Sequence, residues 1–290
     1  MKEDIQKRLD ALEAEMVTPN FWDDKARAQT VLKQIYELKL ELQGKDKYNK
    51  GHAIMTIFSG AGGDDAEDFS RILFDMYTKF FTKQSWDYKV LDETENDHGG
   101  YRNITLEIFG PNAYGELKNE SGVHRLVRLS PFNSKNLRQT SFSMVEVVPK
   151  IEKDAEIQIP ESELKIDISK AGGPGGQNVN KRETAVRIVH IPTGISVRAT
   201  SERSQPQNKE KAMQILKGKL YALREEERKA SEKGTHVSKT TSIDWGNQIR
   251  SYVFHPYKMI KDHRTGVETA NIDKVLNGEL DEFIEKEKNF

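Results

Sequence analysis

Gly175, Gly176 and Gln177 lie in SKAGGPGGQNVNKRETAVRIVHIPTG (Ser169 to Gly194), where four glycines surround one proline and a basic stretch follows. Backbone without Cβ atoms can enter a narrow site and offer its N–H groups to a ligand. Such groups can stabilise a developing oxyanion with no acidic or basic side chain. Gln177 is not titratable and so cannot serve as a general base near neutral pH, but it can orient a water or exclude larger nucleophiles. A phosphate cradle is disfavoured: Gly176 is followed by Gln177 instead of Lys-Ser/Thr, and Asn178 stands where G-x-G-x-x-G requires its third glycine. On composition alone, a flexible linker stays open beside the backbone-presenting loop.

If this loop is catalytic, most of the reacting groups come from elsewhere, and the charge distribution suggests where. The 290 residues carry a net charge of -1, but it is uneven. Residues 51–110 hold 5 Lys+Arg against 11 Asp+Glu, net -6; residues 111–150 hold 6 against 3, net +3; residues 171–242 hold 14 against 7, net +7. Two separate basic blocks suit two contacts with a polyanion such as RNA, since each neutralised phosphate releases counterions. Zero cysteines exclude disulfides, thiolate metal sites and cysteine nucleophiles. Seven scattered histidines without an H-E-x-x-H pattern predict no metal, and no cofactor is implied. No apolar run approaches the ~18 residues of a membrane span, and MKEDIQKRLD lacks the apolar core of a signal peptide, so a cytoplasmic protein without a membrane partner is expected.

The periodicity predicts an α+β, multidomain chain. Ile5, Leu9, Leu12 and Met16, then Val31, Ile35, Leu38 and Leu42, recur at helical spacing and predict a helical hairpin over 1–48. HAIMTIF (52–58) predicts a buried strand, and Asp64 or Asp65 is expected to cap a helix burying Phe69, Ile72, Leu73, Met76, Tyr77 and Phe80. RNITLEIF (102–109) and SMVEVV (143–148) predict strands, with 111–142 expected as surface loops on a sheet. From about residue 161, ELKIDIS, TAVRIVHI and ISVRAT predict strands, and 207–230 a long helix with Met213, Leu216, Leu220 and Leu223 inward. EKGTHVSKTTS predicts a linker. The last 50 residues are too few to fold alone and are expected to dock on the earlier sheet.

GGQNVNKRETAVRIVHIPTG, ESGVHRLVRLSPFNSKNLRQTSF (120–142), GAGGDDAEDF (60–69) and SIDWGNQIRSYVF (242–254) together resemble bacterial peptide chain release factors, in order from about residue 52 to 285. Ser130, Pro131 and Phe132 match the SPF tripeptide of the release factor 2 branch rather than the PxT of the release factor 1 branch. The resemblance implies reading of UAA and UGA in the 16S decoding site of the 70S ribosome. It also implies hydrolysis of P-site peptidyl-tRNA in the 23S peptidyl transferase centre, a reaction promoted only together with the ribosome. Ser130 and its neighbours would read the second base of the mRNA stop codon, Arg138 and Thr140 would lie near the third, Gln139 would meet a codon base, and Gly62 and Asp65 would meet the first uridine. Gly175, Gly176 and Gln177 would be the catalytic tripeptide, with Gln177 a substrate for a glutamine methyltransferase that forms N5-methylglutamine. Trp245 would pack on decoding-site RNA from a switch segment.

The implied domains are a shortened helical domain at 1–48, a codon-recognition domain at 49–160, a GGQ domain at 161–240, and a switch and C-terminal segment at 241–290 that packs on 49–160. Three features depart from the family: Gln139 stands where a stacking histidine is usual, Asp65 where glutamate is usual, and a central part of the N-terminal helices is absent. That last departure leaves the interplay with a GTPase recycling factor open. Two other readings remain: a codon-independent ribosome-rescue hydrolase, and a non-catalytic ribosome-associated RNA-binding factor.

Overall fold

A computed structural model describes residues 2–16, 31, 35, 48–135, 137–151, 159–170, 183–232 and 246–288. The chain divides into two compact units, Met1–Lys50 and Gly51–Phe290. In the first, helix α1 (Lys2–Met16) buries Leu9 with Val31 and Ile35, and Leu12 and Met16 pack against them. Part of the predicted hairpin is thus present; Leu38 and Leu42 lie outside the described residues.

The second unit is built on an eight-stranded sheet in the order β11-β10-β9-β4-β5-β1-β3-β2. Its strands are β1 (Ala53–Ser59), β2 (Asp87–Glu95), β3 (Tyr101–Phe109), β4 (Gly122–Leu129), β5 (Arg138–Pro149), β9 (Gln248–Val253), β10 (Met259–Asp262) and β11 (Glu268–Thr269). All neighbours are antiparallel except β4 and β9. Helix α2 (Asp64–Lys83) covers one face with Ala66, Phe69, Leu73, Met76, Tyr77, Phe80 and Phe81 buried. Short helices α3 (Ala113–Leu117), α5 (Ile272–Leu276) and α6 (Asp281–Glu287) complete this part.

A second, three-stranded antiparallel sheet contains β6 (Leu164–Ser169), β7 (Ala185–His190) and β8 (Ser196–Ala199), and the long helix α4 (Gln205–Glu232) packs on it. Val186, Ile188, Val197 and Ala199 share one core with Ala212, Ile215, Leu216 and Leu220 of α4 and with Ile54, Leu91 and Val148 of the large sheet. Polar contacts rim that core. Lys211 donates to Glu107 at 2.7 Å, Lys219 to Glu146 at 2.6 Å and Thr200 to Asp92 at 2.8 Å. Glu107 is fully buried, yet against the desolvation that favours its neutral form, Lys211 and Lys150 hold its carboxyl below the ordinary range.

Two expectations are corrected. The stretch 111–142 is not surface loops alone: it contains all of β4, which lies between β5 and β9 and has half of its residues buried. GVHRLVRL pairs a buried His124 and a buried Leu126 on the face that meets α2, so basic letters conceal a central strand. Neither Asp64 nor Asp65 caps α2; the cap position is Gly63 with no side-chain bond, because Asp65 turns instead to a cation and a hydroxyl described below. In α4, the inward face also includes Ala212 and Ile215, which are buried, while Met213 packs half-buried against the same core and Leu223 is half-buried.

Candidate functional site

Three segments meet at one end of the large sheet: the loop before α2, the turn joining β4 to β5, and the tip of the β2–β3 hairpin. Gly62 has φ +136°, and a Cβ there would come within 3.0 Å of Ser141, so both its conformation and its closeness to β5 require glycine. Backbone bonds from Gly60 N–H to Phe142 O (2.8 Å) and from Phe142 N–H to Ala61 O (2.9 Å) tie this loop to β5. Asp65, in the first turn of α2, is buried. Its Oδ1 accepts from Arg128 Nε (3.2 Å) and Nη2 (3.0 Å), and its Oδ2 accepts from Ser130 Oγ at 2.5 Å. Arg128 also pairs with Asp68 at 2.6 Å.

The turn holding Ser130, Pro131 and Phe132 is closed by Ser130 N–H donating to Leu137 O at 3.1 Å. Ser130 Oγ accepts from Phe132 N–H at 3.2 Å. Ser130 is 2% exposed, whereas Pro131, Phe132, Arg138, Gln139 and Thr140 are exposed. Pairing of Gln139 with Arg128 in register puts these two on one face of the sheet. Ser141 and Ser143, two and four residues along from Gln139, face Gly62 and α2. The structure therefore brings Gly62, Asp65, Ser130 and Gln139 to the α2 face. Arg138 and Thr140, by the alternation of β5, project from the opposite one.

Sequence reasoning missed four contributors. Arg128 was hidden in a run of basic residues. His98, at the hairpin tip, lies with its ring 5.6 Å from Phe132. Asn96 shapes that tip by accepting from His98 N–H and Gly100 N–H at 2.9 and 2.7 Å, and a Cβ on Gly100 would come within 2.8 Å of α2 backbone atoms. The N-D-H-G-G run was the available signal for a tight hairpin turn. The fourth is Asn208 of α4, fully buried, which donates to Thr184 O (2.7 Å) and Glu202 O (3.0 Å) and accepts from Glu202 N–H (3.0 Å).

Gly175, Gly176, Gln177 and Trp245 lie outside the described residues. Ser169 pairs with Ala185 across β6 and β7, so these two described residues lie side by side at one end of the small sheet. Asn208 fastens the returning strand just ahead of Ala185.

Residues 32–145 match the PCRF domain and residues 152–264 the RF-1 domain. Peptide chain release factor 2 of Petrotoga mobilis is 40% identical over 334 aligned positions, covering 99% of this chain and 91% of that one. The same-named protein of Clostridium perfringens is 46% identical over 259 positions, covering 89% and 71%. The alignment of 334 positions exceeds the chain's 290 residues by 44, so at least 44 residues of the Petrotoga protein have no counterpart here. The solved structure of RF2 of Thermus thermophilus superimposes with a TM-score of 0.77 at 34% identity, covering 99% of this chain and 95% of that one. By these matches the chain belongs to the bacterial peptide chain release factor 2 family, which acts with the ribosome in translation termination.

Proposed function

We propose that this chain recognises the stop codons UAA and UGA in the ribosomal A site and triggers hydrolysis of the peptidyl-tRNA ester in the peptidyl transferase centre. The observation that carries this reading is the convergence of Asp65, Ser130 and Gln139, with the exposed Phe132 turn, on one end of the sheet. Single-stranded RNA is read through hydrogen bonds to splayed base edges and through stacking on exposed rings, and this surface offers both. Ser130 is assigned to the second base, Gly62 and Asp65 to the first uridine, Arg138 and Thr140 to the third, and Gln139 to a contact with the codon.

At the other site the ribosome supplies the reacting environment. Gly175 and Gly176 let the backbone enter, the N–H of Gln177 faces the oxyanion that forms as water attacks the ester carbonyl, and the Gln177 amide admits water while excluding bulkier nucleophiles. Residues 49–160 would act as the codon-recognition domain and 161–240 as the hydrolytic one. Trp245, in the switch and C-terminal segment 241–290, would couple them through decoding-site RNA. Gln177 is the proposed site of N5-methylation, and the protein would work in the cytoplasm.

Gly176→Ala separates chemistry from binding. It should abolish peptide release from UAA-programmed ribosomes while leaving ribosome binding largely intact, and Gln177→Ala should be milder because a backbone N–H survives. Undiminished release by Gly176→Ala would refute the backbone mechanism.

A further inference from the structure

Arg125 lies in the middle of β4, in register with Phe142 of β5 and Ser251 of β9. Its neighbours His124 and Leu126 take the α2 face, so strand alternation sends Arg125 to the opposite one. The residue is half-buried, its Nε is buried, and it has no hydrogen bond or ion pair among the described residues. The other buried or half-buried arginines among the described residues, Arg71, Arg128, Arg198, Arg250 and Arg264, all pair with carboxylates. Glu146, on the same face of β5 four residues from Phe142, is already held by Lys219 at 2.6 Å. A guanidinium that has lost part of its hydration and gained no carboxylate is a ready receptor for an anion from outside.

With the codon placed as proposed above, one anion comes within reach. Gly62, Asp65 and Ser130, assigned to the first two bases, lie on the α2 face, whereas Arg138 and Thr140, assigned to the third, project from the other. A strand held in this way crosses the end of the sheet between its second and third bases. Its 3′ continuation then emerges on the face that carries Arg125. Arg138 is four residues from Phe142, the register partner of Arg125, which is about 13 Å along the strand. One RNA strand running along β4 and β5 can therefore meet both cations. The planar fork of an arginine gives a phosphate two parallel N–H bonds, and half-burial lessens their screening by salt. Such a contact fixes the path of the strand without reading its sequence.

We propose that Arg125 binds a phosphodiester of the mRNA just downstream of the stop codon, on the face of the large sheet opposite α2. This site rests on the codon-reading function proposed above. It makes the message beyond the codon part of what the protein holds.

The test is peptide release by the full-length chain from two sets of UAA-programmed ribosomes, one with an mRNA that ends at the stop codon and one with an mRNA that continues past it. The readout is the ratio of kcat/KM on the continued message to that on the ended one. The unaltered protein should show a ratio of about tenfold, the scale of one charge-assisted hydrogen bond, and Arg125→Gln a ratio close to unity. A contact with ribosomal RNA, or a purely structural role, lowers release on both messages alike and leaves the ratio where it was. That outcome, or a ratio close to unity for the unaltered protein, overturns the proposal. If Arg125→Gln gives no cooperative unfolding transition, a continued mRNA with uncharged methylphosphonate linkages just after UAA decides with the unaltered protein. A ratio that falls towards unity supports the site, and an undiminished one overturns it. Release by the unaltered protein on neither message would overturn the codon-reading function along with this site, whereas normal release with a fixed ratio overturns this site only.

Discussion

Glu287→Gln is expected to stabilise the protein at pH 8 and to leave it nearly unchanged at pH 5. Three buried carboxylates, Glu120, Asp262 and Glu287, surround two guanidiniums where α6 and β10 meet β4 and β9. Arg250, fully buried, donates to Glu120 at 2.7 and 3.0 Å, to Glu287 Oε1 at 2.5 Å and to Asp262 at 3.4 Å. Arg264 donates to Asp262 at 2.8 Å and to the same Glu287 oxygen at 2.6 Å. Against the desolvation that favours neutral forms, Arg250 holds Glu120 low, and Arg264 and Arg250 hold Asp262 low. Charge balance leaves one carboxyl neutral. Burial and the nearby Glu120 push Glu287 up to about 9, and its buried Oε2, without a hydrogen-bond partner, is the natural seat of the proton.

The sign follows from linkage. The unfolded carboxyl loses its proton near ~4.3, so above that pH the folded state binds the extra proton. The contribution is therefore full below the unfolded value and is lost as pH rises towards about 9, at up to about 1.4 kcal/mol per pH unit. From pH 5 to 8 the limit is ~4 kcal/mol; relaxation around buried ions lowers the working figure to about 2 kcal/mol. Glutamine carries no such penalty, and its amide can donate where the proton sat. Urea unfolding of both proteins at pH 5, 6.5 and 8 reads the difference. His124, which burial pushes down to about 4, loses stability below ~6.5 in both proteins and so cancels. If the glutamine variant gains no stability over the parent between pH 5 and pH 8, or loses it, the Glu287 carboxylate is charged and the reasoning fails.

Two further outcomes are expected. Asn208→Ala leaves Thr184 O, Glu202 O and Glu202 N–H without their buried partner, which should cost about 2 kcal/mol in urea unfolding and slow peptide release by loosening the root of the loop. His98→Ala should leave thermal stability within ~0.5 kcal/mol, because the ring is exposed, while raising KM for stop-codon ribosomes severalfold. Tyrosine at 98 should restore KM if stacking is the role.

The elements with clean periodicity were legible in the sequence. β1, α2 and α4 bury one continuous apolar face each, and that pattern survives translation into structure. β4 was not legible, because its buried members include His124, and because Arg125 and Arg128 make the run look like a solvated basic loop. In β3, Thr105 and Glu107 alternate with apolar residues as on a surface strand, yet both are buried because α4 brings Lys211 to that face. Such burial depends on residues about a hundred positions away, which local periodicity does not carry. At the candidate site, the motifs picked out Ser130 and Asp65, but not that they bond each other or that Arg128 links them. Those facts arise only when α2 and the β4–β5 turn are folded together.

The central claim is codon-dependent release, and the most direct measurement compares release rates by the purified protein on ribosomes programmed with UAA, UGA, UAG and a sense codon. UAA and UGA should support release at rates within about tenfold of each other, and UAG and the sense codon should be at least about a hundredfold slower, the scale of a buried hydrogen-bonding group left unpaired. Equal release on all four codons, or on an empty A site, would contradict it and point instead to codon-independent rescue.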